Sequence, residues 1–157
     1  MVAQAGGPGG GIREGVQEVY LLDLVLSIYR VYARRVADPA GRAILESYLG
    51  AEEDRARRLE RIVRSRSAGP PVAMRRLFRA AGGLYGRVTS LLGTRVMLRI
   101  ALSAGRRAAR RACSLVDAAL RDSSPETRYM ATLRARNEGD LVDALTQHLI
   151  DTRPKRA

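Results

Sequence analysis

Two glutamates set in the middle of apolar helical stripes are the residues of this chain best suited to chemistry. Glu52 follows Leu45 and Tyr48/Leu49 and precedes Leu59 and Ile62/Val63. Glu138 follows Ala131 and Ala135 and precedes Leu141/Val142, Leu145 and Leu149. At three- and four-residue spacing these positions share one helix face, the face that turns to a core. A carboxylate carried there must be neutralised by a proton, a metal or a cation. Arg55 stands one turn after Glu52 on the same stripe, and its planar five-donor fork is able to hold two carboxylates at once. The spacing predicts a buried Glu52–Arg55–Glu138 cluster in which the guanidinium bridges both glutamates.

Both glutamates belong to a repeat. Asp38-Pro39, Arg42, Glu52, Asp54 and Leu59 recur as Ser124-Pro125, Arg128, Glu138, Asp140 and Leu145, a shift of 86 positions (124 − 38). Each copy begins with a side chain able to cap a helix, followed by proline at the first helical position. The helices expected from periodicity are residues 13–36, 39–66, 88–121 and 125–150. The first carries Leu22, Val25, Leu26, Tyr29, Tyr32, Ala33 and Val36 on one face. Between the second and third lies a linker region, residues 65–87, opened by Gly69-Pro70-Pro71. It holds a short basic amphipathic piece, Met74, Leu77, Phe78 and Ala81 against Arg75, Arg76 and Arg79, which Gly82-Gly83 and Gly86 are expected to interrupt. Gly93 and Gly105 are expected to weaken or bend the next helix. Residues 1–12 read as a disordered Gly-rich tail, residues 13–150 as one bundle domain, and residues 151–157 as a basic tail.

The chain has 157 residues and a formal net charge of +12. The length suits one domain with a real core. The charge favours anionic partners: an acidic protein, nucleic acid or an anionic membrane surface. Arg106, Arg107, Arg110 and Arg111 form a basic outer stripe on one helix and, with Arg75, Arg76 and Arg79, make the candidate binding surface. Cys113 is the lone cysteine, so neither an internal disulfide nor a Cys-rich metal site exists. His148 is the lone histidine; ten residues past Glu138, it lies about 15 Å further along a helix and cannot share a metal with it. It reads as a polar residue favourable to the helix end. No Ser/His/Asp set and no phosphate-cradling loop is present. No signal-peptide pattern or membrane-span-length apolar run occurs, so a cytoplasmic protein is expected.

Two helix pairs, a long connection and mid-helix glutamates resemble the ferritin-like superfamily, in particular rubrerythrin-type domains and the demethoxyubiquinone hydroxylase group. The resemblance covers residues 16–149 and implies an all-α, ferritin-like four-helix bundle of two helix pairs joined by a long crossover, with a short extra amphipathic helix. In that pattern two helices each give a glutamate, often followed by a tyrosine, and the other two each give Glu-x-x-His, so that six ligands hold two irons. Laid on this sequence, Tyr29 fits the first tyrosine, and the glutamate before it falls on Leu22, with Asp23 beside it. Glu52 fits, and Arg55 replaces the histidine. In the second half the glutamate position falls on Ala108 and the tyrosine position on Leu115. Glu138 fits, and Leu141 replaces the histidine. Two of the six ligands survive. Asp23, Glu52 and Glu138 are the possible residual metal ligands, an all-oxygen set poorly suited to two irons. Gly83-Leu84-Tyr85-Gly86 and Leu91-Leu92-Gly93 also resemble the Gly-rich start of the third helix in the hydroxylase group.

These readings favour a non-catalytic ferritin-like structural or binding protein, with no cofactor and with a protein partner or a homodimer; no small-molecule substrate is assigned. Apolar surface on the first helix around Tyr20, Val31 and Tyr32 is a candidate dimer face. The alternatives are a di-iron oxidase or hydroxylase with an incomplete or shared iron site, and a module that binds nucleic acid or a membrane surface.

Overall fold

Five helices build the molecule in a computed structural model that describes residues 10–66, 69–122 and 124–152. They are α1 (Gly10–Arg35), α2 (Pro39–Arg66), α3 (Val72–Ser90), α4 (Thr94–Asp122) and α5 (Pro125–Asp151), and no strand occurs among the described residues. Residues 10–12, expected in the tail, already belong to α1; residues 1–9 and 153–157 lie outside the described residues.

The repeat seen in the sequence is a repeat of helix starts. Asp38 Oδ2 accepts from the backbone N–H of Gly41 at 2.7 Å, and Ser124 Oγ accepts from that of Thr127 at 3.3 Å. Each cap satisfies a donor three residues into its helix, and the proline that follows lacks the N–H which would otherwise be orphaned. Asp38 has a second partner, His148 Nε2 at 2.6 Å. The last turn of α5 thus fastens the α1–α2 turn, a specific role in place of the general helix-end one expected for His148. Arg42 closes the same corner by donating to the Val36 carbonyl, 2.9 Å from Nη2.

α1 packs against α2 and α3, α2 against α1 and α5, and α4 against α5. Two apolar clusters lie along the bundle. One gathers Leu26, Tyr29, Tyr32, Val36, Leu45, Leu98, Ala101, Leu141 and Leu145. The other, smaller, holds Val19, Leu22, Leu59 and Val63. Leu45 and Leu145 are fully buried, each contributing about 1.5–3 kcal/mol through the area it removes from water. α1 leads from the smaller cluster to the larger and α2 leads back, so the two run antiparallel.

α3 departs from expectation. Gly82-Gly83 and Gly86 do not interrupt it; one helix runs through all three from Val72 to Ser90. Gly82 and Gly86, four residues apart, are the contact face. A Cβ on Gly82 would stand 2.3 Å from the Leu24 carbonyl oxygen, and one on Gly86 3.0 Å from the Val31 Cβ. The absence of side chains there lets α3 lie backbone-to-backbone on α1. Tyr20 stacks on Phe78 at 5.2 Å between ring centroids, and Tyr32 exchanges a hydrogen bond with Thr89 at 2.7 Å. The α1 surface read as a dimer face is therefore the seat of α3, and Tyr32 is buried. Gly93, at φ +89°, makes the turn into α4, a conformation that costs glycine little. Gly105 does not end α4; it sits inside it, facing Val142 and Leu141.

Candidate functional site

Between the two apolar clusters lies a buried polar layer. Glu52 is 1% exposed, Arg55 3% and Glu138 5%. The periodicity that put them on inner faces is the reason: each occupies a turn whose neighbours, Leu45 and Leu59 or Leu141 and Leu145, are in the core.

The connections differ from the expected bridge. Arg55 donates from Nε to both oxygens of Glu52 at 3.0 Å and from Nη2 to Oε2 at 2.8 Å. Its remaining arm, Nη1, reaches Glu18 Oε1 of α1 at 2.6 Å rather than Glu138. Arg134 of α5 donates to the same Glu18 oxygen at 3.2 Å, and Asn137 Nδ2 donates to Glu52 Oε1 at 2.8 Å. Glu138 is held by the Tyr48 hydroxyl, 3.0 Å from Oε1. The Tyr29 hydroxyl donates to the Ala101 carbonyl at 3.3 Å. Arg55 thus links α1 to α2, and Glu138 is tied to α2 through a phenol. The reason is reach along the helix: Arg55 and Glu52 are one turn apart on α2, so the guanidinium closes first on its own helix neighbour.

The electrostatics follow. Burial by itself lowers the Arg55 pKa, but the Glu52 and Glu18 carboxylates more than offset it, so the guanidinium is held charged. Two guanidinia and two carboxylates, Arg55, Arg134, Glu52 and Glu18, balance. Glu138 stands outside that balance. Burial first and the charge of Glu52 second push it up to about 7, against the opposing pull of the Tyr48 hydrogen bond, Arg134 and Arg55. Burial, then Glu138, pushes the Tyr48 phenol up as well, so it stays a donor.

Asp23 belongs to a different cluster. It is buried, but it points to α3: Arg75 Nε and Arg79 Nε meet its oxygens at 2.6 and 2.8 Å, and Arg75 Nη1 reaches Glu60 at 2.7 Å. Asp23 is thereby removed from the ligand set proposed with Glu52 and Glu138, because Leu22 takes the inward position and packs with Val19, Leu59 and Val63. The same contacts divide the predicted basic surface. Arg75 and Arg79 clamp α3 to the bundle, Arg79 with its side chain still half exposed, while Arg76, Arg106, Arg107, Arg110 and Arg111 are exposed and make no part of that clamp.

Among the described residues no three His, Cys, Asp or Glu side chains come together as a metal site. The donors present do not fit a di-iron pair. Both Glu52 oxygens are engaged by Arg55, and the bonded Glu18 oxygen is shared by two guanidinia. Leu141, at the second histidine position, is in the core. A cation would have to displace a guanidinium that is itself buried. Leu115, at the second tyrosine position, lines a largely apolar cavity of about 390 Å³ bounded also by Leu59, Val63, Ala119 and Met130, with Glu18 and Arg134 on its polar side.

Glu18, Tyr48, Asn137 and Arg134 are the members that sequence reasoning missed. Two carried a signal. Tyr48 and Arg134 each stand four residues before the glutamate, and the shift of 86 positions that equates Glu52 with Glu138 equates them too (134 − 48). Glu18, four residues before Leu22, continues the inner stripe of α1 and reads instead as a helix-start charge. No family model, curated protein or solved structure matches the chain.

Proposed function

We propose that this chain is a bundle of ferritin-like architecture in which a salt-bridged network has taken the place of a di-iron centre, and that it works as a non-catalytic binding protein. The observation that carries this reading is the buried Arg55 guanidinium, whose hydrogen bonds close on Glu52 and Glu18 where the pattern would place a histidine ligand. A guanidinium neutralises the carboxylates permanently, since it does not lose its proton in any accessible pH range. It also gives the bundle no open coordination position and no redox couple. The arrangement supports the ferritin-like order of helices: two capped pairs, α1–α2 and α4–α5, with α3 carrying the chain along α1 between them.

What remains for function is the surface. Arg106, Arg107, Arg110 and Arg111 stand exposed along α4, where Arg106 donates to the Thr146 hydroxyl and Arg107 to that of Ser103. Such a surface suits an anionic partner. Among the described residues no helix is long and apolar enough to cross a membrane. We place the protein's work in the cytoplasm, where the exposed Cys113 would be kept reduced.

Elemental analysis of protein expressed in iron-rich medium tests the reading, wild type beside Glu52→Ala. The expected result is no stoichiometric iron or manganese in either. Metal near two equivalents in wild type, lost in Glu52→Ala, would return the chain to the di-iron oxidases.

A further inference from the structure

α3 presents its apolar side to solvent. Val72 is 66% exposed, Leu77 59%, Leu84 65%, Val88 57%, Leu91 79% and Leu92 59%. Leu77, Leu84 and Leu91 recur every seven residues, and Val88 lies four after Leu84, so they form one continuous stripe along the helix and into the turn after it. The stripe cannot turn inward, because the opposite face is already committed. Gly82 and Gly86 seat it on α1, and Arg75 and Arg79 pin it to the buried Asp23. Arg76 and Arg87, exposed and eleven residues apart, border the stripe along one edge.

A second copy of the chain is a poor occupant. Each copy carries a net charge of +12, and pairing two stripes would bring Arg76 and Arg87 of both copies together. An acidic protein would match the arginines but leaves unexplained why the apolar residues form a single long stripe. A surface that is apolar below and anionic above matches both at once. An amphipathic helix lying in a bilayer interface buries its apolar side chains at the acyl boundary, while its arginines meet lipid phosphates.

We propose that α3 docks this protein onto anionic lipid bilayers, lying flat in the interface with Leu77, Leu84, Val88 and Leu91 inserted and Arg76 and Arg87 at the phosphate level. This deepens the binding-protein reading above by naming the partner, and it rests on that reading only for the absence of a catalytic role. α3 is held rigidly by its Gly82/Gly86 seat, so the helix is preformed and the ordering cost of folding on the membrane is avoided. The charge on the rest of the molecule adds long-range attraction, which salt screens.

The test is co-sedimentation with vesicles of phosphatidylcholine alone and of phosphatidylcholine mixed with phosphatidylglycerol, with metal content measured on the same preparation. The wild-type protein is expected to pellet with the mixed vesicles, to stay in solution with phosphatidylcholine alone, and to be released by high salt. Leu84→Glu should weaken partitioning by roughly tenfold or more, the loss expected for one buried leucine. It should leave the thermal melt unchanged, because the side chain is exposed. Since the chain has no tryptophan, Tyr85→Trp supplies a reporter whose emission should shift to the blue and be quenched by brominated lipid. Wild-type protein that ignores the mixed vesicles would overturn the proposal. So would Leu84→Glu binding as well as wild type, or a wild-type dimer in light scattering that Leu84→Glu dissociates without lipid. Metal in the preparation would overturn the non-catalytic reading instead, whatever the vesicles show.

Discussion

Replacing Arg55 by methionine separates a structural network from an incidental one. Methionine fills a similar volume and removes the charge. Three contacts to Glu52 and one to Glu18 are lost, leaving Glu52, 1% exposed, with the single Asn137 donor. Breaking one partner out of a buried ion pair costs roughly 3–5 kcal/mol, because the other charge stays buried without compensation. Against a typical domain stability of about 5–15 kcal/mol that is a large share. The double variant Glu52→Gln, Arg55→Met removes both charges and keeps an oxygen for Asn137. It should return to within about 1–2 kcal/mol of wild type, since a buried pair and a well-packed neutral replacement are nearly equivalent. Urea unfolding followed by circular dichroism measures both, provided the denaturant slope is unchanged. A loss below about 1 kcal/mol in Arg55→Met, the range of exposed pairs, would refute the reasoning.

Other consequences follow from the same geometry. Glu138 is raised from the ordinary 4.5 to about 7, so the folded protein holds its proton more tightly than the unfolded chain does. The stability linked to this proton is fully present below about pH 4.5 and is lost as pH rises through about 7, by roughly 3 kcal/mol at most. Glu138→Gln keeps a partner for Tyr48 and should flatten that part of the stability profile; an unchanged profile would show that another group sets it. Gly82→Ala places a Cβ 2.3 Å from the Leu24 carbonyl and should destabilise by about 1–3 kcal/mol as α3 is forced off α1. Gly83→Ala, with open space around it, should gain up to about 1 kcal/mol from helix propensity. The reverse order in thermal melts would contradict the α1–α3 seat.

Much of the helical framework was legible because the signals were local. The cap-and-proline starts at Asp38-Pro39 and Ser124-Pro125 fixed the beginnings of α2 and α5, and the three- and four-residue periodicity put Glu52, Arg55 and Glu138 on inner faces. What was not legible depended on partners from other helices. Glycine has two opposite uses, to break a helix or to let one approach closely. Gly82 and Gly86 declare the second only when α1 is beside them. Asp23 and Leu22 are adjacent, and which of them faces the core is decided by where α3 supplies arginines. Arg55 was placed correctly on its face, but its second carboxylate is Glu18 of α1, which no spacing within α2 reveals. The outward apolar stripe of α3 was hidden for a related reason: amphipathicity does not say which face turns inward, and here the glycine face does.

The claim that a guanidinium network stands where metal would be bound is tested most directly by an anaerobic iron(II) titration of the wild-type protein beside the Arg55→His, Leu141→His variant. That variant creates a Glu-x-x-His pair at Glu52 and another at Glu138 while removing the buried cation. If Arg55 has replaced the metals, the wild-type protein takes up no iron at the bundle centre, and the variant binds it with measurable affinity. Tight iron binding by the wild-type protein, abolished by Glu52→Ala, would contradict the claim.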